Sequence, residues 1–330
     1  MAVTMAEITK LRHLTSAGLM DCKKALAETD GDIEKAVEIL RKKGQAVAAK
    51  REDRTAAEGC VLAKNDGSFA AVIALNCETD FVAKNEGFVA LTRQLLDLAV
   101  ANHCKSLDEL KALTVDGRTV ADLVTEESGK TGEKTEISAY EFIEAPSTTS
   151  YNHLGNKLAT IAGFNLESVD YQVGRDVAMQ IASMNPVAVD RESVPQATID
   201  SELSVAIEKT KEEQVKKAVE AALKKAGLNP NLLDSEDHIA SNIAKGWLTE
   251  DEAAKAREII AETSAAKAAN LPEQMIQNIA QGRLNKFFKE GCLMEQEFIK
   301  DGNLTIGKYL EAAQKGLRCT IFKRVNLNAD

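Results

Sequence analysis

Strand-like segments stand on both sides of a long helical stretch, and this arrangement limits the folds open to the chain more than any other feature. Residues 198–289 are dominated by Ala, Glu, Lys and Leu, with breaks at Gly227-Leu228-Asn229-Pro230 and Asn270-Leu271-Pro272. Val205, Ile207, Val215, Val219 and Leu223, followed by Ala253, Ala256, Ile259 and Ile260, make partly apolar faces that predict an antiparallel helical hairpin. Strand character returns at residues 293–299 and 320–325, around a helical pattern over Ile306–Ala313. A unit with strands before and after the helices must be discontinuous, with the hairpin inserted into it.

Upstream, residues 7–44 carry apolar residues at helical spacing: Ile8, Leu11 and Leu14, then Leu19, Cys22 and Leu26, then Ile33, Ala36, Val37 and Leu40. Thr15-Ser16-Ala17-Gly18 and Thr29-Asp30-Gly31-Asp32 separate them into three short helices. Gly44 after Arg41-Lys42-Lys43 predicts the last helix end, and residues 46–55 a linker. The period then changes. Residues 60–64 and 69–75 read as two strands joined at Asn65-Asp66-Gly67-Ser68, since Asp-Gly accepts the positive φ of a hairpin turn. A helix with Phe88, Leu91, Leu95 and Leu98 on one face follows. The order repeats with a strand at 140–143, a polar turn over 147–156 and an apolar run over 158–164; a helix over 176–184 then ends at Asn185-Pro186. The fold class is α+β. The expected domains are a three-helix module and linker (1–55), a first α+β core unit (56–136), a second, discontinuous unit (137–197 and 290–330), and the helical insert (198–289).

The 330 residues hold 41 Lys and Arg against 51 Asp and Glu, a formal charge of −10, which argues against a dedicated nucleic-acid binder. Arg41, Lys42, Lys43, Lys50, Arg51 and Arg54 form a local basic excess, but no aromatics are interleaved for stacking, so a solvated helix end and linker is expected. Six scattered cysteines with no CxxC pair predict a reduced, intracellular protein in which Cys22 and Cys77 pack. The opening Met1-Ala2-Val3-Thr4-Met5-Ala6-Glu7 lacks an export signal, and no apolar run reaches the roughly 20 residues of a membrane span. A cytoplasmic protein with no membrane association is expected.

Catalytic signatures are missing: there is no HExxH, GxSxG or GxGxxG, and the four histidines are far apart. Gly129-Lys130-Thr131 imitates the end of a phosphate loop, but Val124 occupies the place of the required glycine, so a charged loop is expected. No cofactor, metal or catalytic residue is assigned. Two places suggest recognition instead. Leu19 and Met20 are adjacent, so one helix cannot aim both at a single core point; partial burial of both is the simpler expectation, exposure for a partner the other. Phe81 follows Thr79-Asp80 where the hairpin ends. The local pattern favours a staple onto Phe88 or Val89, the alternative being an aromatic ring presented at the tip of a turn.

Two stretches together resemble one family. Leu11-Arg12-His13-Leu14-Thr15-Ser16-Ala17-Gly18-Leu19-Met20-Asp21-Cys22-Lys23-Lys24-Ala25-Leu26 and Leu75-Asn76-Cys77-Glu78-Thr79-Asp80-Phe81-Val82-Ala83-Lys84-Asn85 are similar to bacterial elongation factor Ts. The likeness extends through Tyr151-Asn152-His153 and Gln281-Gly282-Arg283-Leu284-Asn285-Lys286-Phe287-Phe288; Ser16 and Ala74 depart from the usual pattern. The resemblance implies a ubiquitin-associated-like N-terminal module, a two-part core, and a helical insert as a candidate homodimerisation region. It further implies a guanine-nucleotide exchange factor for the GTPase elongation factor Tu, without chemistry of its own and without direct nucleic-acid contact. Thr79, Asp80, Phe81 and Val82 would disturb the partner's magnesium site, with Phe81 as wedge and Asp80 its polar companion. Leu19, Met20 and His153 would make further contacts. The rival reading is an interaction scaffold that binds a helical or ubiquitin-like partner.

Overall fold

The structure, a computed structural model, describes residues 3–15 and 17–328. Ser16, part of the expected break after the first helix, lies outside them, as do Met1 and Ala2 of the opening segment. The chain divides into two compact units, one running to Val189 and resuming at Glu297, the other spanning Asp190–Gln296.

The first unit opens with α1 (Met5–Thr15), α2 (Leu19–Glu28) and α3 (Ile33–Lys50) around Ile8, Leu11, Cys22, Ala25, Leu26 and Ala36, the three-helix module expected. Then come β1 (Glu58–Asn65), β2 (Phe69–Cys77), α4 (Asp80–Ala83), α5 (Glu86–Ala101), α6 (Leu107–Ala112), a small β3 (Thr114–Val115) and β4 (Arg118–Thr119) ladder, and α7 (Val120–Thr131). They are followed by β5 (Glu136–Glu144), β6 (Ser147–Asn152), β7 (Leu158–Phe164) and α8 (Tyr171–Met184). Two three-stranded antiparallel sheets carry the core. Their orders are β1-β2-β5 and, with the C-terminal strand β10 (Cys319–Asn326), β10-β7-β6.

β2 explains why its sequence does not alternate: every residue from Phe69 to Cys77 is buried, because both faces are covered. Phe69, Ile73 and Leu75 face a core shared with Phe88, Leu95 and Leu96 of α5 and Leu110 of α6. The opposite face is small, with Ala70, Val72 and Ala74 packing on Ala159 and Ile161 of β7. Gly67 closes the β1–β2 turn at φ +90°, as the Asp-Gly pair requires.

Several local expectations change. The strand expected at 140–143 to open the second core unit pairs with β2 and completes the first sheet. The expected polar turn over 147–156 is largely the strand β6, whose side chains bond to neighbouring backbone: Ser147 Oγ to Leu166 O, and Asn152 to both N and O of Ala63. A strand whose polar side chains are satisfied this way needs no apolar signal. Gly44 does not end α3. It meets Gly129 of α7, where a Cβ on Gly129 would lie 2.4 Å from Gly44 Cα, so both glycines serve a close helix crossing. Consequently α3 runs on through residues expected to be linker. Gly129-Lys130-Thr131 is the last turn of α7 and not a charged loop.

The second unit holds α9 (Gln196–Lys225), α10 (Glu236–Ala244), α11 (Glu250–Ala269) and α12 (Glu273–Gly291). The expected breaks fall as read, but the architecture is four helices and not a two-helix hairpin. α10 adds Ile239 to a core of Leu223, Leu228, Leu233, Leu248, Ala253 and Ala256. The chain then returns to the first unit through β8 (Glu297–Phe298), β9 (Asp301–Thr305), α13 (Ile306–Ala313) and β10 (Cys319–Asn326).

β10 pairs with β7, so the second sheet is assembled from segments before and after the insert. The strand expected over 293–299 shrinks to the two-residue β8 pairing β9, because Phe298 serves as a core plug stacked 4.3 Å from Tyr309. Buried Asp176 of α8 fastens the returning chain, accepting from Lys300 Nζ at 2.7 Å, Gln172 Nε2 at 2.6 Å and Tyr309 Oη at 3.0 Å. Burial pushes its carboxyl up, and these three donors more than reverse that, leaving it below the ordinary value.

All six cysteines are free and buried. Burial raises the thiols of Cys60 and Cys292 to about 11 and those of Cys77 and Cys319 to about 12. Packing, as expected for Cys22 and Cys77, is therefore their role. A chromogenic disulfide reagent at mildly alkaline pH should find no fast thiol in native protein and all six after denaturation; a native thiol reacting at the rate of free cysteine would contradict this.

Candidate partner-binding site

At the end of β2 the backbone leaves the sheet and makes one helical turn. Thr79, extended at φ −124° and ψ 154°, caps α4, with Val82 N 3.5 Å from its Oγ1. A stronger restraint comes from Glu133, just beyond α7. Its carboxylate accepts Glu78 N at 3.0 Å, Thr79 N at 3.0 Å and the Thr79 hydroxyl at 2.7 Å. Glu78 is held in turn by Arg51 Nη1 at 2.9 Å and Lys134 N at 2.7 Å. The donors that a departing strand leaves open are thus taken by one carboxylate.

This collar fixes where the α4 side chains point. Ala83 is buried and Val82 packs on the first core, whereas Phe81 is 84% exposed. The staple is not formed: Phe88 is fully buried within the core, and Val82 supplies the inward apolar contact. Asp80 accepts from Lys84 Nζ at 2.6 Å, and that hydrogen bond and charge hold its carboxyl below the usual range.

His153 sits on the β6–β7 hairpin, exposed, with Nδ1 3.0 Å from the Tyr151 hydroxyl; Arg175 lies 5.7 Å over the Tyr151 ring. The fold brings this hairpin beside the Phe81 turn. Lys157 Nζ bonds Glu58 at 2.6 Å, Glu58 faces Cys77 across β1–β2, and the Lys157 charge is among those that lower Asp80. Leu19 and Met20 open α2 and are 42% and 69% exposed, so the expected partial burial of both gives way to exposure while Cys22, Ala25 and Leu26 turn inward.

These two residues belong to the helical module, which reaches the Phe81 turn through α7 and through the Arg51–Glu78 ion pair at the end of α3. That helix receives α3 at Gly129 and leads into Glu133. The basic cluster is largely engaged within the chain: Arg41 with Asp122 at 3.0 Å, Lys43 with Asp21 at 2.5 Å, Arg51 with Glu78.

Reading the sequence missed Glu133, Glu78 and Arg51 as supports of the turn. Their partners are far along the chain, and no spacing rule joins residue 78 to residue 133. Glu133→Gln removes the charge that gathers three donors. It should cost about 1–3 kcal/mol of stability, readable by denaturant unfolding, and leave Phe81 free to wander. Unchanged stability would show that the collar does not hold the turn.

Among the described residues no group of three His, Cys, Asp or Glu side chains is placed to hold a metal, and no helix is long and apolar enough to cross a membrane. The two sheets thus support an exposed aromatic turn, and the helical module carries a second exposed apolar pair, Leu19 and Met20. The sequence model of the family described as Elongation factor TS matches residues 78–226 and 216–329. Over 331 residues, covering all of both chains, the sequence is 61% identical to Elongation factor Ts of Parabacteroides distasonis and 60% identical to those of Phocaeicola vulgatus and Bacteroides thetaiotaomicron. The chain belongs to the elongation factor Ts family.

Proposed function

We propose that this protein is the guanine-nucleotide exchange factor of elongation factor Tu, acting in the cytoplasm during polypeptide elongation without substrate chemistry of its own. Family membership supports the partner. The observation that carries the mechanism is the Phe81 ring, exposed on a turn that Glu133 locks. A bound GDP is retained by phosphate-loop amides and by Mg²⁺ that bridges phosphate oxygens, so disturbing the ligands of that ion loosens the nucleotide. Thr79, Asp80, Phe81 and Val82 are the element that enters there, with Phe81 as wedge and Asp80 as its polar companion.

Linkage sets the energetics. The factor by which the exchange factor lowers GDP affinity equals the factor by which GDP lowers its own, so rebinding nucleotide releases it. Weakening GDP about a thousandfold takes about 4 kcal/mol, and burying one Phe supplies roughly 1.5–3 kcal/mol. Phe81 therefore needs help, which Leu19, Met20 and His153 contribute as further contacts. The helical insert is proposed as the homodimerisation region. With Arg41, Lys43 and Arg51 engaged internally, direct nucleic-acid contact is not part of the proposal.

The test is release of a fluorescent GDP analogue from elongation factor Tu of the same organism, with excess unlabelled GDP. Acceleration on adding this protein is the expected result. No acceleration by folded protein would replace the proposal with a scaffold.

A further inference from the structure

We propose that Leu154 is a second apolar anchor for the same partner, setting how tightly the factor docks and not how fast nucleotide leaves; this rests on the exchange-factor reading above. Among the described residues Leu154 is the most exposed large apolar side chain, at 94%, with Phe81 next. A single exposed leucine means little by itself. Its setting carries the argument.

Leu154 crowns the β6–β7 hairpin, whose tip is built to hold one shape. His153 N donates to Leu158 O at 2.9 Å and Asn156 N to His153 O at 3.1 Å, while Gly155 and Asn156 take φ +88° and +54°. The tip is also tied to β1 by Val61 N to Asn156 O at 2.7 Å and by the Asn152 amide on Ala63. Lys157–Glu58 then links it to the end of the sheet that launches the Phe81 turn. Two rigid turns at one edge of the unit thus each present a large apolar side chain that serves no internal core.

Their supports differ, and so do their roles. Phe81 stands on a charged collar with Asp80 beside it, suited to a polar, ion-bearing site. Leu154 has His153, hydrogen-bonded to the Tyr151 hydroxyl with Arg175 over the Tyr151 ring, and nothing acidic on the tip itself. The surface that fits it is an apolar depression beside the nucleotide site of the partner GTPase. Rigid presentation lowers the entropy cost of burying the side chain.

The experiment titrates nucleotide release from elongation factor Tu with wild type, Leu154→Ser, Leu154→Met and Phe81→Ala. Leu154→Ser should raise the half-saturating concentration about tenfold or more, the loss expected for one buried leucine. The saturated rate should stay within about twofold of wild type, as for uniform binding, and Leu154→Met should restore the midpoint. An unchanged midpoint for Leu154→Ser, or a fall in saturated rate at constant midpoint, overturns the assignment while leaving the exchange reading intact. A wild-type chain that fails to accelerate release overturns both. Thermal unfolding of Leu154→Ser should match wild type, since the side chain packs against no core.

Discussion

Phe81→Ala should lower the saturated rate of stimulated GDP release by about tenfold to a hundredfold while leaving the fold unchanged. The magnitude follows from the roughly 1.5–3 kcal/mol that burial of a phenylalanine contributes, at about 1.4 kcal/mol per tenfold. The fold should not notice, because the ring is 84% exposed and Val82, not Phe81, packs on the core. Truncation of such a surface side chain shifts stability by no more than about 0.5 kcal/mol. Binding to nucleotide-free elongation factor Tu should stay measurable, since Leu19, Met20 and His153 are untouched. A variant that stimulates like wild type would remove the wedge from the mechanism; one that unfolds would show that the ring has a structural role its exposure does not suggest.

Gly129→Ala should be a strongly destabilising substitution despite its small size. Helix propensity alone says that Ala for Gly in a helix stabilises by about 0.5–1 kcal/mol. Here the new Cβ would lie 2.4 Å from Gly44 Cα, a backbone atom that no rotamer can move. α3 and α7 must separate, and overpacking of this kind costs about 1–3 kcal/mol or more. Gly282→Ala is the matched control, a glycine within α12 with open space around its Cβ position, and should be neutral or stabilising. The thermal unfolding midpoint should therefore fall for Gly129→Ala and hold or rise for Gly282→Ala. Amide exchange of Gly129→Ala should show lost protection along Ile33–Lys50, and the half-saturating concentration for nucleotide release should rise as Leu19 and Met20 lose their fixed place. Equal and stabilising shifts in both variants would refute the tight crossing.

That crossing also shows where sequence reasoning stopped. Gly44 after three basic residues carries the local signature of a helix end, and only the presence of Gly129 on a distant helix turns it into a contact point. Helix periodicity was legible in the N-terminal module and over Ile306–Ala313, but not in α7, whose inward face includes the polar Glu127 and Ser128. β2 was legible from its unbroken apolar run, and the discontinuity of the second sheet from strands on both sides of the helices. β6 was not, because its residues are polar and their partners lie on β1 and in the loop after β7. The assignment of residues 140–143 failed for the same reason: strand character says nothing about which neighbour a strand takes, and β5 chose β2. At the candidate site, Phe81 stood out from its place after a hairpin, and family likeness pointed outward where local pattern pointed to a staple. The Glu133 collar needed coordinates, since three donors converge there from residues more than fifty positions away.

The central claim is that the Phe81 turn acts through the magnesium ion of the GTPase, and it is tested most directly by measuring GDP release with wild type and Phe81→Ala, first with Mg²⁺ saturating and then with Mg²⁺ chelated. With the ion present, wild type should release nucleotide about tenfold or more faster than the variant. With the ion removed, the wedge has no ligands left to displace, and the two proteins should converge. A difference of the same size in the absence of Mg²⁺ would contradict the account and place the action of Phe81 elsewhere in the nucleotide site.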